Sequence, residues 1–163
     1  MKIKKIYLDL DGVLCDFEER YTELFKRTPY EARDKKEFNP DWKKFVQEGN
    51  FATLPWFKGG KELLAFIRKY PVSVEILSSS GGKKFHGEVT EQKIKWLRSH
   101  DINYKANIVP GRRIKAEYAS PDVILIDDTP DVIESFNAAG GHGILHKDLG
   151  KTLEKLKELL EKH

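Results

Sequence analysis

The chain has 163 residues, 39% hydrophobic and 11% aromatic, which is enough for one compact domain with its own core and excludes a disordered tail. Its 29 Lys and Arg against 26 Asp and Glu leave a net charge of +3, a balance that suits an anionic small molecule better than the concentrated basic patch of a nucleic-acid binder. A single cysteine, Cys15, excludes a disulfide framework and a cysteine-built zinc site and points to a reducing, cytoplasmic home.

No apolar run reaches the roughly 18 residues a membrane span needs. The basic and apolar start, Met1 to Leu10, runs into Asp9 and Asp11 rather than a signal-peptide cleavage site. A first strand is expected at Lys5–Leu10, followed by a helix from Val13 to about Arg27 that Thr28-Pro29 stops. Residues Pro29–Pro55 break the rhythm. They are polar and aromatic and hold two short expected helices, Tyr30–Glu37 and Asp41–Glu48. A plain crossover between strands needs one helix, so this stretch and its flanks, about residues 17–56, read as a small helical cap inserted in a single domain of residues 1–163.

The second strand is expected at Ser73–Ser78, followed by the loop Ser79-Ser80-Gly81-Gly82. Val89–His100 repeats apolar residues at helical spacing. Short strands at Asn107–Val109, Val123–Ile126 and Gly143–His146 follow, interleaved with a turn at Ile114–Ala119 and a helix at Pro130–Ala139. The amphipathic stretch Lys151–Glu161 closes the chain. Strands alternating with helices imply an α/β, Rossmann-like three-layer parallel sheet. The wholly apolar Val123–Ile126 suits a strand buried on both faces.

Two acidic clusters stand at strand ends: Asp9-Leu10-Asp11-Gly12-Val13 after the first strand and Asp127-Asp128 after the fourth. Ligands of open parallel sheets bind beyond the carboxyl ends of the strands, where the strand order reverses. If these two strands are neighbours, three or four carboxylates converge, and a hard cation such as Mg²⁺ resolves their repulsion. Asp131, just inside its helix, reads instead as a helix cap. Ser78 can donate to a phosphate oxygen. Gly12, Gly81 and Gly82 leave backbone amides free to face an anion, and Lys93 or Lys115 can neutralise a phosphoryl group. The parts suit phosphoryl transfer.

Asp9-Leu-Asp-Gly-Val13, Ser78, a following Lys and Ile126-Asp127-Asp128 resemble the four-motif signature of the haloacid dehalogenase superfamily of phosphatases. Asp9 to Phe17, Leu77-Ser-Ser-Ser80, Lys93-Ile-Lys-Trp-Leu97 and Leu125 to Asp131 resemble more narrowly the 5′(3′)-deoxyribonucleotidases. The resemblance implies strand order 3-2-1-4-5 and hydrolysis of (deoxy)nucleoside monophosphates through an aspartyl-phosphate. It makes Asp9 the nucleophile and Asp11 the general acid and base. It gives Mg²⁺ the Asp9 carboxylate, the Asp11 carbonyl and Asp127, with Asp128 supporting through water. It gives the phosphate Ser78 and Ser79, with Lys115 a better match than Lys93 for the phosphate-binding lysine. Phe17 is expected beside the base, with Trp42 and Phe51 from the cap.

The expected partner is a small nucleotide, with no membrane association and no stable nucleic-acid complex. The same chemistry on a sugar phosphate or a nucleic-acid end is the alternative. A phospho-accepting receiver module carries its acidic pair early and its acceptor aspartate mid-chain, the reverse of the order here.

Overall fold

The computed structural model describes residues 2–162. Five parallel strands, β1 (Lys5–Leu8), β2 (Ser73–Ser79), β3 (Lys105–Val109), β4 (Val123–Asp127) and β5 (His142–Leu145), form one sheet in the order β3-β2-β1-β4-β5. Between them run α1 (Phe17–Phe25), α2 (Pro29–Asp34), α3 (Phe38–Gln47), α4 (Gly60–Ile67), α5 (His86–Ser99), α6 (Pro130–Ala138) and α7 (Leu149–Glu161). The order reverses between β1 and β4, whose register pairs Leu8 with Ile126.

Alternation along the strands divides the core into two. Ile6, Leu8, Ile76, Ile124 and Ile126 pack with Leu63 and Ile67 of α4, Trp96 of α5 and Leu156 of α7. Tyr7, Leu77 and Leu125, on the opposite face, pack with Val132, Ile133 and Phe136 of α6. These are the three expected layers.

Local chemistry moves several expected boundaries. The Val13 helix start is wrong: Leu10 to Cys15 form a tight turn in which the Leu10 carbonyl accepts from the amides of Val13, Leu14 and Cys15. The helix begins only at Phe17, where the Asp16 side chain accepts from the Glu19 amide. Thr28 and Glu31 form a reciprocal capping box that starts α2 at Pro29, and α3 begins at Phe38, before the expected Asp41. Helix α4 has no counterpart in the sequence reading. Gly59, at φ +83, is its N-cap, and Leu63, Leu64 and Ile67 carry a buried helical stripe.

Helices α1–α3 and a 3-10 turn at Asn50–Thr53 surround an aromatic cluster. Phe17 packs on Tyr21, Trp42, Phe45 and Phe51, with ring centroids 5.1–5.9 Å apart. A buried polar knot ties α1 to α3. The Tyr21 hydroxyl donates to Asp41 Oδ2 at 2.5 Å, and the Arg27 guanidinium reaches both Asp41 oxygens at 2.6 and 3.0 Å.

Candidate active site

The β1–β4 ladder continues one residue beyond β1, where the Asp9 amide donates to the Ile126 carbonyl at 3.1 Å. Asp9 and Asp127 are thereby set side by side at the strand ends. Asp128 completes the group: one oxygen from each of Asp9, Asp127 and Asp128 lies within 4.8 Å of the others. Gly12 makes room for it. Its φ is +81, and a Cβ there would fall 2.0 Å from Asp128 Oδ2, so glycine is needed for both conformation and space.

Burial and the neighbouring Asp9 push Asp127 up to about 6. Burial, then Asp9 and Asp127, push Asp128 up to about 7. Lys115 Nζ enters the group, 2.6 Å from Asp127 Oδ2 and 3.3 Å from Asp9 Oδ2. Burial opposes its charge, but Asp9 and Asp127 outweigh burial and raise its pKa. One ammonium facing three carboxylates leaves a negative excess in a buried pocket. Carboxylate oxygens are the donors a hard divalent cation takes, so Asp9, Asp127 and Asp128 fit such an ion.

A second constellation stands beside the first. Lys93 Nζ, on the buried side of α5, donates to Ser78 Oγ at 2.6 Å, to the Ser79 carbonyl at 3.0 Å and to Asp11 Oδ2 at 3.1 Å. The Asp11 carboxylate thus turns from the acidic triad towards Lys93. Among the described residues its Oδ1 is buried without a partner, and burial raises its pKa against the opposing Lys93 charge. The structure therefore brings together Asp9, Asp11, Asp127, Asp128, Ser78, Ser79, Lys93 and Lys115. The two lysines, alternatives in the sequence, occupy different places: Lys115 between the strand-end carboxylates and Lys93 beside the serines.

The aromatic residues separate. Phe51 is 1% exposed, with Lys93 Nζ 5.2 Å from its ring centroid, and Phe17 stacks on it within 2° of parallel. Trp42 lines a cleft of about 470 Å³ between α3 and the loop after β2.

Asp131 is not the expected cap. Its carboxylate takes Arg112 at 2.9 and 3.0 Å, and α6 begins at Pro130 with no side-chain cap. Three contributors went unnoticed in the sequence. The Thr129 amide donates to Asp127 Oδ1 at 3.0 Å, its hydroxyl donates to Asp128 Oδ1 at 3.2 Å, and Lys147 Nζ donates to the Asp128 carbonyl at 2.6 Å. Thr129 before Pro130 is a helix-start signal that could have placed it there; Lys147 has no such signal.

The family model for 5′ nucleotidase, deoxy (pyrimidine), cytosolic type C protein matches residues 2–150. Solved structures share the fold. A hydrolase from Streptococcus pneumoniae is 19% identical, covers 96% of this chain and 100% of that one, and has a TM-score of 0.58. An uncharacterized protein from Corynebacterium glutamicum is 16% identical, covers 98% of this chain and 96% of that one, and has a TM-score of 0.52. No curated protein gave a significant match.

Proposed function

We propose a function from the premise that the chain belongs to the cytosolic type C deoxy (pyrimidine) 5′ nucleotidase family, and is a phosphoric monoester hydrolase of the haloacid dehalogenase superfamily. It is a Mg²⁺-dependent 5′(3′)-deoxyribonucleotidase, acting on (deoxy)nucleoside monophosphates in the cytoplasm. The observation that carries this reading is the convergence of Asp9, Asp127 and Asp128 beside the Lys93–Ser78 pair.

Asp9 is the nucleophile. Its Oδ1 accepts from the Leu10 amide at 2.8 Å, which fixes the rotamer of the attacking group. A carboxylate oxygen of Asp9 bonds to phosphorus as the ester bond to the nucleoside breaks, and Asp11 gives its proton to the departing oxygen. Asp11 then takes a proton from water as the water oxygen attacks phosphorus. Inorganic phosphate leaves with its bond to Asp9 broken, and both aspartates are restored. Ser78, Ser79 and Lys93 hold phosphoryl oxygens, and Lys115 limits the repulsion between Asp9 and Asp127. Asp9, Asp127 and the Asp11 carbonyl would hold Mg²⁺, with Asp128 supporting through water; when bound, the ion would neutralise charge on the phosphoryl group. Helices α1–α3 are the cap, which supplies aromatic surface to the nucleoside.

A phosphate-release screen tests the reading, run across deoxy- and ribonucleoside 5′- and 3′-monophosphates, sugar phosphates and a 3′-phosphorylated oligonucleotide. Preference for a nucleoside monophosphate is expected. Preference for a sugar phosphate or the oligonucleotide end overturns the substrate assignment and leaves the phosphatase chemistry standing.

A further inference from the structure

The cleft beside Trp42 carries two lysines that monophosphate hydrolysis does not use. Its walls are Trp42 and Phe85, and its rim carries Lys43 and Lys84, both exposed. Asn39, Pro40, Gly81 and Gly82 complete the lining, which among the described residues contains no carboxylate side chain. Lys84 Nζ lies 5.4 Å from the Phe85 ring centroid. Trp42 presses on the loop so closely that a Cβ at Gly81 would fall 2.7 Å from its indole. The same loop carries the phosphate-site residues. The Gly81 amide donates to Ser79 Oγ at 3.1 Å, and Ser79 accepts from Lys93 through its carbonyl. One residue, Ser80, separates Ser79 from Gly81, at most about 7 Å between Cα atoms. The loop is braced from below, because Ser80 Oγ meets His86 Nδ1 at 2.7 Å and donates to the Gly82 carbonyl at 3.2 Å.

The cleft that begins at Gly81, two positions after Ser79, has two aromatic side chains and two lysines in its lining. The walls suit a base, but a neutral sugar and base leave both lysines without an anion. We infer that the cleft selects phosphomonoesters whose leaving group carries a second phosphate, of the nucleoside 3′,5′-bisphosphate class. Trp42 and Phe85 flank the base, and Lys43 and Lys84 meet the phosphate that is not cleaved. One water is consumed, and inorganic phosphate and a nucleoside monophosphate are released. The inference rests on the nucleotidase reading above.

The test compares kcat/KM for phosphate release from four substrates of one deoxynucleoside, with Mg²⁺ present. These are the 5′-monophosphate, the 3′-monophosphate, the 3′,5′-bisphosphate and a dinucleotide ending in a 3′-phosphate. Unit charges about 4 Å apart in water contribute about fivefold. The bisphosphate is therefore expected to exceed the better monophosphate by about fivefold if one lysine is engaged and about twenty-fivefold if both are, with the ratio shrinking as salt is added. In the double variant Lys43→Gln, Lys84→Gln the ratio falls towards one; Lys43→Arg, Lys84→Arg retains it. Hydrolysis of monophosphates with no bisphosphate advantage overturns this inference alone, as does an advantage that survives the Gln substitutions. An advantage confined to the dinucleotide overturns the small-molecule assignment. No release from any of the four overturns the nucleotidase reading as well.

Discussion

Lys115 and Asp127 form a buried ion pair of 2.6 Å at the point where the strand order reverses. Lys115 is 3% exposed and Asp127 is fully buried, and the same ammonium is 3.3 Å from Asp9. The lysine arrives from the 3-10 segment Arg112–Tyr118, so a connecting segment, not the sheet, supplies the charge that lets two carboxylates share a strand edge.

Lys115→Met removes that charge and leaves the carboxylates facing each other. Breaking a buried ion pair by deleting one partner costs about 3–5 kcal/mol, and a loss of that size is expected in urea unfolding without divalent cations. Added Mg²⁺ should recover part of it, and more than it adds to the unsubstituted protein. Equal stability of the two proteins in chelator would show that Lys115 does not offset the acidic cluster.

Chelation tests the cation directly. Asp9, Asp127 and Asp128 sit within 4.8 Å of one another, and a cation bound only to the folded state stabilises it by mass action, about 2.7 kcal/mol at a hundred times its Kd. Chelator should abolish phosphate release and lower the melting temperature, and Mg²⁺ should restore both. Full turnover after exhaustive chelation would falsify the assignment.

Asp9→Asn should abolish turnover, because an amide does not attack phosphorus as a carboxylate does. Asp11→Asn should discriminate between leaving groups. General acid catalysis contributes about 10²–10⁴-fold, so a nucleoside monophosphate should lose that much and an activated aryl phosphate far less. An equal loss for both would remove Asp11 from proton transfer.

The legible parts of this protein are those where local chemistry and global fold agree. Val123–Ile126 reads as a strand buried on both faces, and it is one, running on through Asp127. The acidic pairs read as strand-end groups, and the sheet places Asp9, Asp127 and Asp128 together while the Asp11 carboxylate turns to Lys93. What escaped the reading depended on partners distant in sequence. Asp41 resembles an ordinary surface carboxylate in a charged helix, but Tyr21 and Arg27 bury it. Asp131 has the position of a cap, and Arg112, 19 residues earlier, takes its carboxylate. The resemblance ranks Lys115 above Lys93 for a single phosphate-binding role, whereas the fold gives each lysine its own place, α5 and the 3-10 segment delivering them from opposite sides of the sheet.

The aromatic cap gives a prediction that separates binding from packing. The nucleotidase resemblance implies Phe17 as the residue beside a base. In the fold its ring meets Tyr21, Phe45, Phe51 and Trp42, while Trp42 lines the open cleft. Phe→Ala in a core costs about 3–5 kcal/mol, and a half-buried ring less, so Phe17→Ala should lower the melting temperature and reduce kcat/KM for every phosphomonoester together. Trp42→Ala removes a face on which a base can stack, an interaction of about 1–3 kcal/mol per base. It should therefore depress kcat/KM for a nucleotide about five- to a hundredfold beyond its effect on a small aryl phosphate. Measuring both variants with both substrates, alongside thermal unfolding, decides the matter. If Phe17→Ala shows the nucleotide-selective loss and Trp42→Ala does not, the base lies against α1 and not in the cleft beside α3.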